Sequence, residues 1–257
     1  MPAATPRKVP TASRKAPLPA SRPTAGAQQR VSTGIPGLDE LIQGGFVKNS
    51  VNLVTGGTGT GKTILASQFL WEGIKRGEKC VFITMEQHPD DLKADVAQFG
   101  WNFSKYEKQG LCTIDYLDPA QVNNLASAIL NSVKTSGAKR LVIDSTSVVG
   151  LTIENEMMIR RKLLGLVDAI KREADCTTLL TTEIEEGSEG LSRWGVEEFV
   201  VDGVLALHYL GIGGEQFANI QIRKMRRTNH EKGFFPFHIG KNGIVIKPEE
   251  VQSIRLK

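Results

Sequence analysis

The chain reads as an α/β protein: a mostly parallel sheet with helices on both faces, extended by a C-terminal antiparallel β-meander. Three observations carry this reading. From Val31 to about Phe199, short apolar runs of strand character alternate with helical patterns, the rhythm of a parallel sheet covered on both sides. One strand-to-helix junction holds the glycine loop GGTGTGKT, Gly56 to Thr63, a feature that belongs at the end of a buried strand. After Phe199 only strand patterns follow, separated by short turns.

Residues 1 to 30 precede this alternation and differ from it in composition. They hold six basic residues and no acid, together with six of the eleven prolines and seven alanines. The net charge of +4 therefore conceals a folded part at −2 once the six tail charges are set aside. A segment with so little to bury is expected to be disordered, which places the boundary between a basic Pro/Ala-rich tail, 1–30, and one domain, 31–257. Its charge suits either a solvated leader or an arm that binds nucleic acid, and its prolines oppose the amphipathic helix of a transit peptide. It lacks the apolar stretch of a secretory signal.

Within the domain, Val51 to Thr55 is a short apolar run rich in β-branched residues and predicts a buried strand. Ile64 to Arg76 carries Leu65, Phe69 and Ile74 at near-helical spacing, and Gly77 stands where a terminating glycine belongs. Further strands are predicted at Lys79 to Met85, Leu111 to Leu117, Arg140 to Ile143 and Thr177 to Thr182. The intervening helices run from Pro89 to Phe99, Ala120 to Thr135 and about Glu154 to Ala174. The meander takes Val200 to Tyr209, Phe217 to Arg223, Phe234 to Ile239 and Gly243 to Ile246, with Asn242-Gly243 favouring a tight hairpin. No internal repeat appears, so one domain carries one glycine loop.

No uninterrupted apolar run approaches the ~20 residues needed to cross a bilayer, so no membrane partner is expected. Cys80, Cys112 and Cys176 lie far apart, in or beside apolar runs, as reduced core residues of a cytoplasmic protein do. The four histidines lack zinc-ligand spacing.

The loop fits G-x-x-x-x-G-K-[ST], and each position answers a demand of a bound triphosphate. Gly56, Gly57, Gly59 and Gly61 permit positive φ and bring backbone N–H groups close to the phosphates. The nucleotide-binding span is expected to be Gly57, Thr58, Gly59, Thr60, Gly61, Lys62, Thr63 and Ile64. Lys62 supplies a charge for the β and γ oxygens, and the Thr63 hydroxyl is placed to ligate Mg²⁺. The metal also needs an acidic anchor at the end of a neighbouring strand, which Asp144 provides after Leu141-Val142-Ile143, acting through a water of the metal shell. Glu86 ends another apolar strand at the carboxyl edge and is the candidate catalytic carboxylate, with Glu183 a weaker one. The cluster from Lys224 to Lys232 reads either as a solvated basic turn or as a source of cations for a γ-phosphate, often one belonging to an adjacent protomer.

In order along the chain stand VSTGIPGLDELIQGGF, GGTGTGKT, FITMEQ, LVIDS, TTEI, RWGVEEFVVD and KMRRTNHEKGFFPFHI. This collinear series, from Arg30 to about Lys247, resembles the KaiC-like branch of the RecA superfamily of P-loop ATPases. The resemblance implies a RecA-like core, ATP and Mg²⁺ as ligands, and a homo-oligomer, usually a hexameric ring, with nucleotide held between protomers. It puts Lys62 and Thr63 on the Walker A positions, Asp144 on the Walker B aspartate and Glu86 on the first of two catalytic glutamates. Lys224 and Arg226 fall on the pair contributed across the interface, and His230 on a neighbouring nucleotide-binding position. Two departures stand out. Gln87 follows Glu86 where the clock protein of that family has a second glutamate, and Glu198-Phe199 stands where its kinase half carries a phosphorylated Ser-Thr pair, so autokinase activity is not expected.

The expected function is thus an Mg²⁺-dependent ATPase acting as an oligomeric regulatory switch. The alternatives are a relative of the recombinase paralogues with ATP-modulated binding of single-stranded DNA, and a nucleotide-gated scaffold without turnover.

Overall fold

The computed structural model describes residues 28–250 apart from 123, 152, 154, 186, 187, 189, 213 and 214. The expected disorder of the tail therefore concerns residues that lie outside the described ones, except at its end. Arg30, assigned to the tail on composition, is the first residue of a strand and pairs with Val47.

The chain opens with β1 (Arg30–Val31), α1 (Leu38–Leu41) and β2 (Phe46–Val47). It continues through β3 (Val51–Gly56), α2 (Lys62–Lys75), β4 (Cys80–Thr84), α3 (Pro89–Ala97), α4 (Phe103–Lys108) and β5 (Cys112–Tyr116). Next come α5 (Leu125–Ser136), β6 (Arg140–Asp144), a 3₁₀ turn (Thr146–Gly150), α6 (Glu156–Glu173), β7 (Thr177–Glu183) and α7 (Glu197–Val200). The meander is β8 (Gly203–Ile212), β9 (Glu215–Met225), β10 (Phe235–Gly240) and β11 (Gly243–Ile246).

The main sheet has nine strands in the order β11-β10-β9-β8-β3-β7-β6-β4-β5. From β5 across to β8 every neighbouring pair is parallel, and β9, β10 and β11 then add antiparallel. The strand alternation was legible because both faces are apolar. Phe82 and Val142 join one core with α2, α3 and α4, whereas Val81, Ile83, Leu141 and Ile143 join the other with α5 and α6.

Boundaries moved where local chemistry outweighed periodicity. The helix predicted from Ala120 begins at Leu125, because Asn124 caps it by accepting from the Ser127 N–H at 3.0 Å. The helix predicted to reach Phe99 stops at Ala97, and Gly100 closes its end at φ +76° with its N–H on the Ala97 carbonyl. The strand predicted from Val200 starts at Gly203, since Glu197 to Val200 form a helical turn. In the last hairpin Gly240 faces Gly243, so Lys241 and Asn242 make the loop and Gly243 takes the positive φ of +101°. Gly77 terminates α2 as expected, at φ +72°.

Arg140 is a fully buried cation at the start of β6. Its Nε donates to Glu78 at 2.6 Å, its Nη1 donates to the Ser32 and Phe69 carbonyls at 2.8 Å, and its guanidinium lies over the Phe69 ring at 4.7 Å. It thus joins the sheet to α2 and to the loop after β1. Gly73 makes room for it, because a Cβ there would stand 2.5 Å from Arg140 Cδ. Arg140→Ala strands a carboxylate and two carbonyls and is expected to lower unfolding free energy by about 3–5 kcal/mol, checked by urea denaturation.

Candidate functional site

The carboxyl edge of the parallel strands gathers five of the candidate side chains, Lys62, Thr63, Glu86, Asp144 and Glu183. Gly56 ends β3 opposite Glu183 at the end of β7, and Asp144 ends β6 opposite Thr84 of β4, two residues before Glu86. Between them lies a cleft of about 260 Å³ lined by the glycine loop, Lys62, Thr63, Glu86, Asp144 and Glu183.

The loop itself combines two uses of glycine. Gly59 and Gly61 take φ of +76° and +94°, as expected, and Gly61 leads directly into α2. Gly56 and Gly57 do not adopt the left-handed conformation, contrary to expectation. Gly56 is needed for close approach, since a Cβ there would meet the Leu207 carbonyl and the Thr60 hydroxyl at 2.7 Å. Thr60 then ties the loop by donating to the Gly57 carbonyl at 2.9 Å. Thr58 is exposed at the tip, and Ile64, the third residue of α2, lines the cleft.

Lys62 is buried, and its ammonium donates to the Gly56 and Gly57 carbonyls at 3.1 and 2.9 Å. Glu183 stands 3.8 Å away as its ion-pair partner. Burial holds the Lys62 pKa below the ordinary lysine value, against the pull of Glu183, Asp144 and Glu86. Thr63 donates to Asp144 Oδ2 at 2.7 Å, and Thr181 donates to Asp144 Oδ1. Desolvation raises the Asp144 pKa, opposed by the two hydroxyls and Lys62. Ser145, joined to Asp144 by a cis peptide, donates to Glu86 Oε1. The Glu86 pKa is also raised, by desolvation first and then by Asp144 and Glu183, while Ser145 and Lys62 oppose the shift.

Gln87, the position that departs from the family pattern, points elsewhere. Its amide donates to Asp95 of α3 at 2.6 Å, and its carbonyl accepts from Thr84 at 2.6 Å. Lys224, Arg226 and His230 also lie outside the cleft. Lys224 pairs with Val204 near the start of β8, which puts this cluster at the opposite edge of the sheet from the glycine loop. There the Lys224 ammonium donates to the Glu198 and Val201 carbonyls at 2.9 and 2.7 Å, and Arg226 lies 3.5 Å from Asp202. His230 Nδ1 is 3.0 Å from the Glu231 carbonyl in the same turn.

A family model described as the KaiC ATPase matches residues 31–251. The chain belongs to the KaiC ATPase family. A UPF0273 protein of Methanopyrus kandleri is 37% identical to this chain, the match covering 88% of it and 94% of that protein. Circadian clock protein KaiC3 of Synechocystis is 36% identical over 86% of this chain, which matches 46% of that protein. Among solved structures, the KaiC-like protein of Pyrococcus horikoshii superposes with a TM-score of 0.79 at 45% identity, over 86% of this chain and 100% of that one. The fold is thus the RecA-like core of a single-domain, nucleotide-binding KaiC-like ATPase.

Sequence reasoning ranked Glu183 low and passed over Ser145 and Thr181. A detectable signal existed for Thr181, because β7 reads TTLLTTE and buries its threonines, which need polar partners inside the sheet. The Ser145 contact has no such signature, because it depends on two strand ends meeting. Among the described residues, the three cysteines are free and buried, and no helix is long and apolar enough to cross a membrane. Thr181→Val keeps the side-chain shape but removes the donor to Asp144. It is expected to cost about 1–3 kcal/mol of stability, measured by chemical denaturation.

Proposed function

We propose that this KaiC-family chain is an Mg²⁺-dependent ATPase that acts as an oligomeric regulatory switch, each nucleotide being held between two protomers. The observation that carries this reading is the meeting of Lys62, the Thr63–Asp144 pair and Glu86 in one cleft, with Lys224 and Arg226 at the far edge of the same sheet. A cluster so placed does not serve its own protomer's cleft. It is suited to the cleft of a neighbour in a head-to-tail contact, and contacts of that kind form a ring where the rotation between neighbours closes. The family resemblance points to six members.

The residues at the cleft fit magnesium. Thr63 and Asp144 present a hydroxyl and a carboxylate 2.7 Å apart, hard oxygen donors of the kind this cation takes alongside phosphates and water. Bound there, magnesium would supply neutralising charge for the phosphate oxygens. Lys62 exchanges its loop carbonyls for the β and γ oxygens of ATP, a buried ammonium being most effective where water is excluded. The N–H groups of the loop and the first turn of α2 face the same phosphates.

Glu86 orients the attacking water. Ser145 fixes one of its oxygens, and the other accepts the hydrogen of the water. Its raised pKa brings this carboxylate nearer the range in which a general base works at neutral pH. Gln87 takes no part in this chemistry, being turned to α3. Lys224 and Arg226 stabilise the charge on the transferring phosphoryl group of the neighbour. With Glu198 and Phe199 there is no hydroxyl at the position where a phosphate acceptor would stand.

Glu86→Gln is expected to lower the turnover of ATP by roughly 10²- to 10⁴-fold while ATP affinity changes little. Steady-state hydrolysis and equilibrium binding of a fluorescent ATP analogue measure the two separately, and an unchanged rate removes Glu86 from this role. Hydrolysis per protomer should also fall as the protein is diluted, in step with loss of mass by light scattering. A rate that stays constant down to the monomer argues against the shared site.

A further inference from the structure

The turn that follows β9 carries Arg226 to His230, and it is unusually well tied for an exposed segment. Arg227 sits at φ +58°, in the left-handed region that a residue with a side chain seldom occupies. Such a conformation persists only where its surroundings enforce it. The main restraint comes from a residue almost 200 positions away in sequence. Arg30 Nη2 donates to the Arg227 carbonyl at 3.0 Å, and Arg30 Nη1 donates to Thr228 Oγ1 at 2.8 Å. The same guanidinium donates to the Ile42 and Gly45 carbonyls at 3.3 and 3.2 Å, which anchors it to the segment between β1 and β2.

Other contacts hold the turn from the same side. The Asn229 N–H donates to Gln43 Oε1 at 3.0 Å, and the Glu231 N–H donates to the Leu41 carbonyl at 2.9 Å. At its start the Arg226 N–H donates to the Asp202 carbonyl at 2.8 Å. Among the described residues, the planar fork of Arg30 grips the strained residue and its successor together. Its position also opposes charge, since Arg227 lies close enough to lower the Arg30 pKa, second to burial. A like-charged pair kept together by two hydrogen bonds to the turn, from a guanidinium anchored by two more to the segment between β1 and β2, is explained by what those bonds position.

We infer that Arg30 is a positioning residue for hydrolysis, holding the Arg226–His230 turn in the conformation that presents Arg226, and Lys224 beside it, to the nucleotide of a neighbouring protomer. This rests on the shared site proposed above. A cation that stabilises a transferring phosphoryl group works best when its geometry is set beforehand, and a turn built on a left-handed arginine does not hold that geometry alone.

The test uses the full chain. Arg30→Ala is expected to lower kcat at least fivefold, with the thermal midpoint held within a few degrees and the affinity for ADP within twofold. Thr228→Val, which removes one acceptor only, should lower kcat less and retain the fold if Arg30→Ala does not. Mixing supplies the decisive reading. In a one-to-one mixture of Arg30→Ala and Glu86→Gln protomers, roughly a quarter of the interfaces join an intact Glu86 to an intact turn, so activity should recover to about that share of wild type. Lys224→Ala mixed with Glu86→Gln is the control. Recovery in the control but not with Arg30→Ala overturns the role of Arg30 and leaves the shared site standing, as does a wild-type kcat in the Arg30→Ala protein. Failure of both mixtures overturns the shared site itself.

Discussion

β3 pairs in parallel with β7 on one side and β8 on the other, and all six of its residues are buried. This double ladder fixes the height at which the chain leaves the sheet and enters the glycine loop. It also sets Gly56 opposite Glu183 and, through β7, brings Thr181 beside the aspartate that ends β6. The nucleotide loop is therefore not free to choose its position relative to the acidic residues. A slip of one residue in a parallel strand would turn its side chains to the other face and separate Lys62 from its partners.

The electrostatics of the cleft follow from that placement. Three carboxylates, Glu86, Asp144 and Glu183, surround one ammonium in a recessed space. Desolvation pushes Asp144 and Glu86 upward and Lys62 downward, so each group is held in a form less easily charged than in water. Hydroxyls from Thr63, Thr181 and Ser145 offset part of that cost without adding charge. An incoming ligand that brings both anionic oxygens and a cation, the metal-bound triphosphate of the proposed function, would complement such a charge arrangement.

Much of this was legible in the sequence for identifiable reasons. Parallel strands buried on both faces read as apolar runs, and the loop pattern at Gly56 to Thr63 is dense in meaning. Asp144 and Glu86 were legible because they end such runs. What escaped was long-range or very short. The two-residue strands at Arg30 and Phe46, and the four-residue helices at Leu38 and Glu197, have no periodicity to detect and are held by tertiary contacts. Arg30 looked like one more tail charge because composition does not reveal a partner at Arg227. The sequence showed Gln87 where the family pattern has a second glutamate, but not that its side chain lies against Asp95.

Gly73 and Arg140 are sterically coupled. The buried guanidinium occupies the space that any side chain at position 73 would need, with Cys80 Sγ closing the remaining room at 2.8 Å from a built Cβ. The two positions are therefore a single unit of variation. A homologue that enlarges the glycine must shorten the arginine and find new donors for the Ser32 and Phe69 carbonyls. Enlarging position 73 alone is therefore expected to displace the guanidinium and break its contacts to α2 and to the loop after β1.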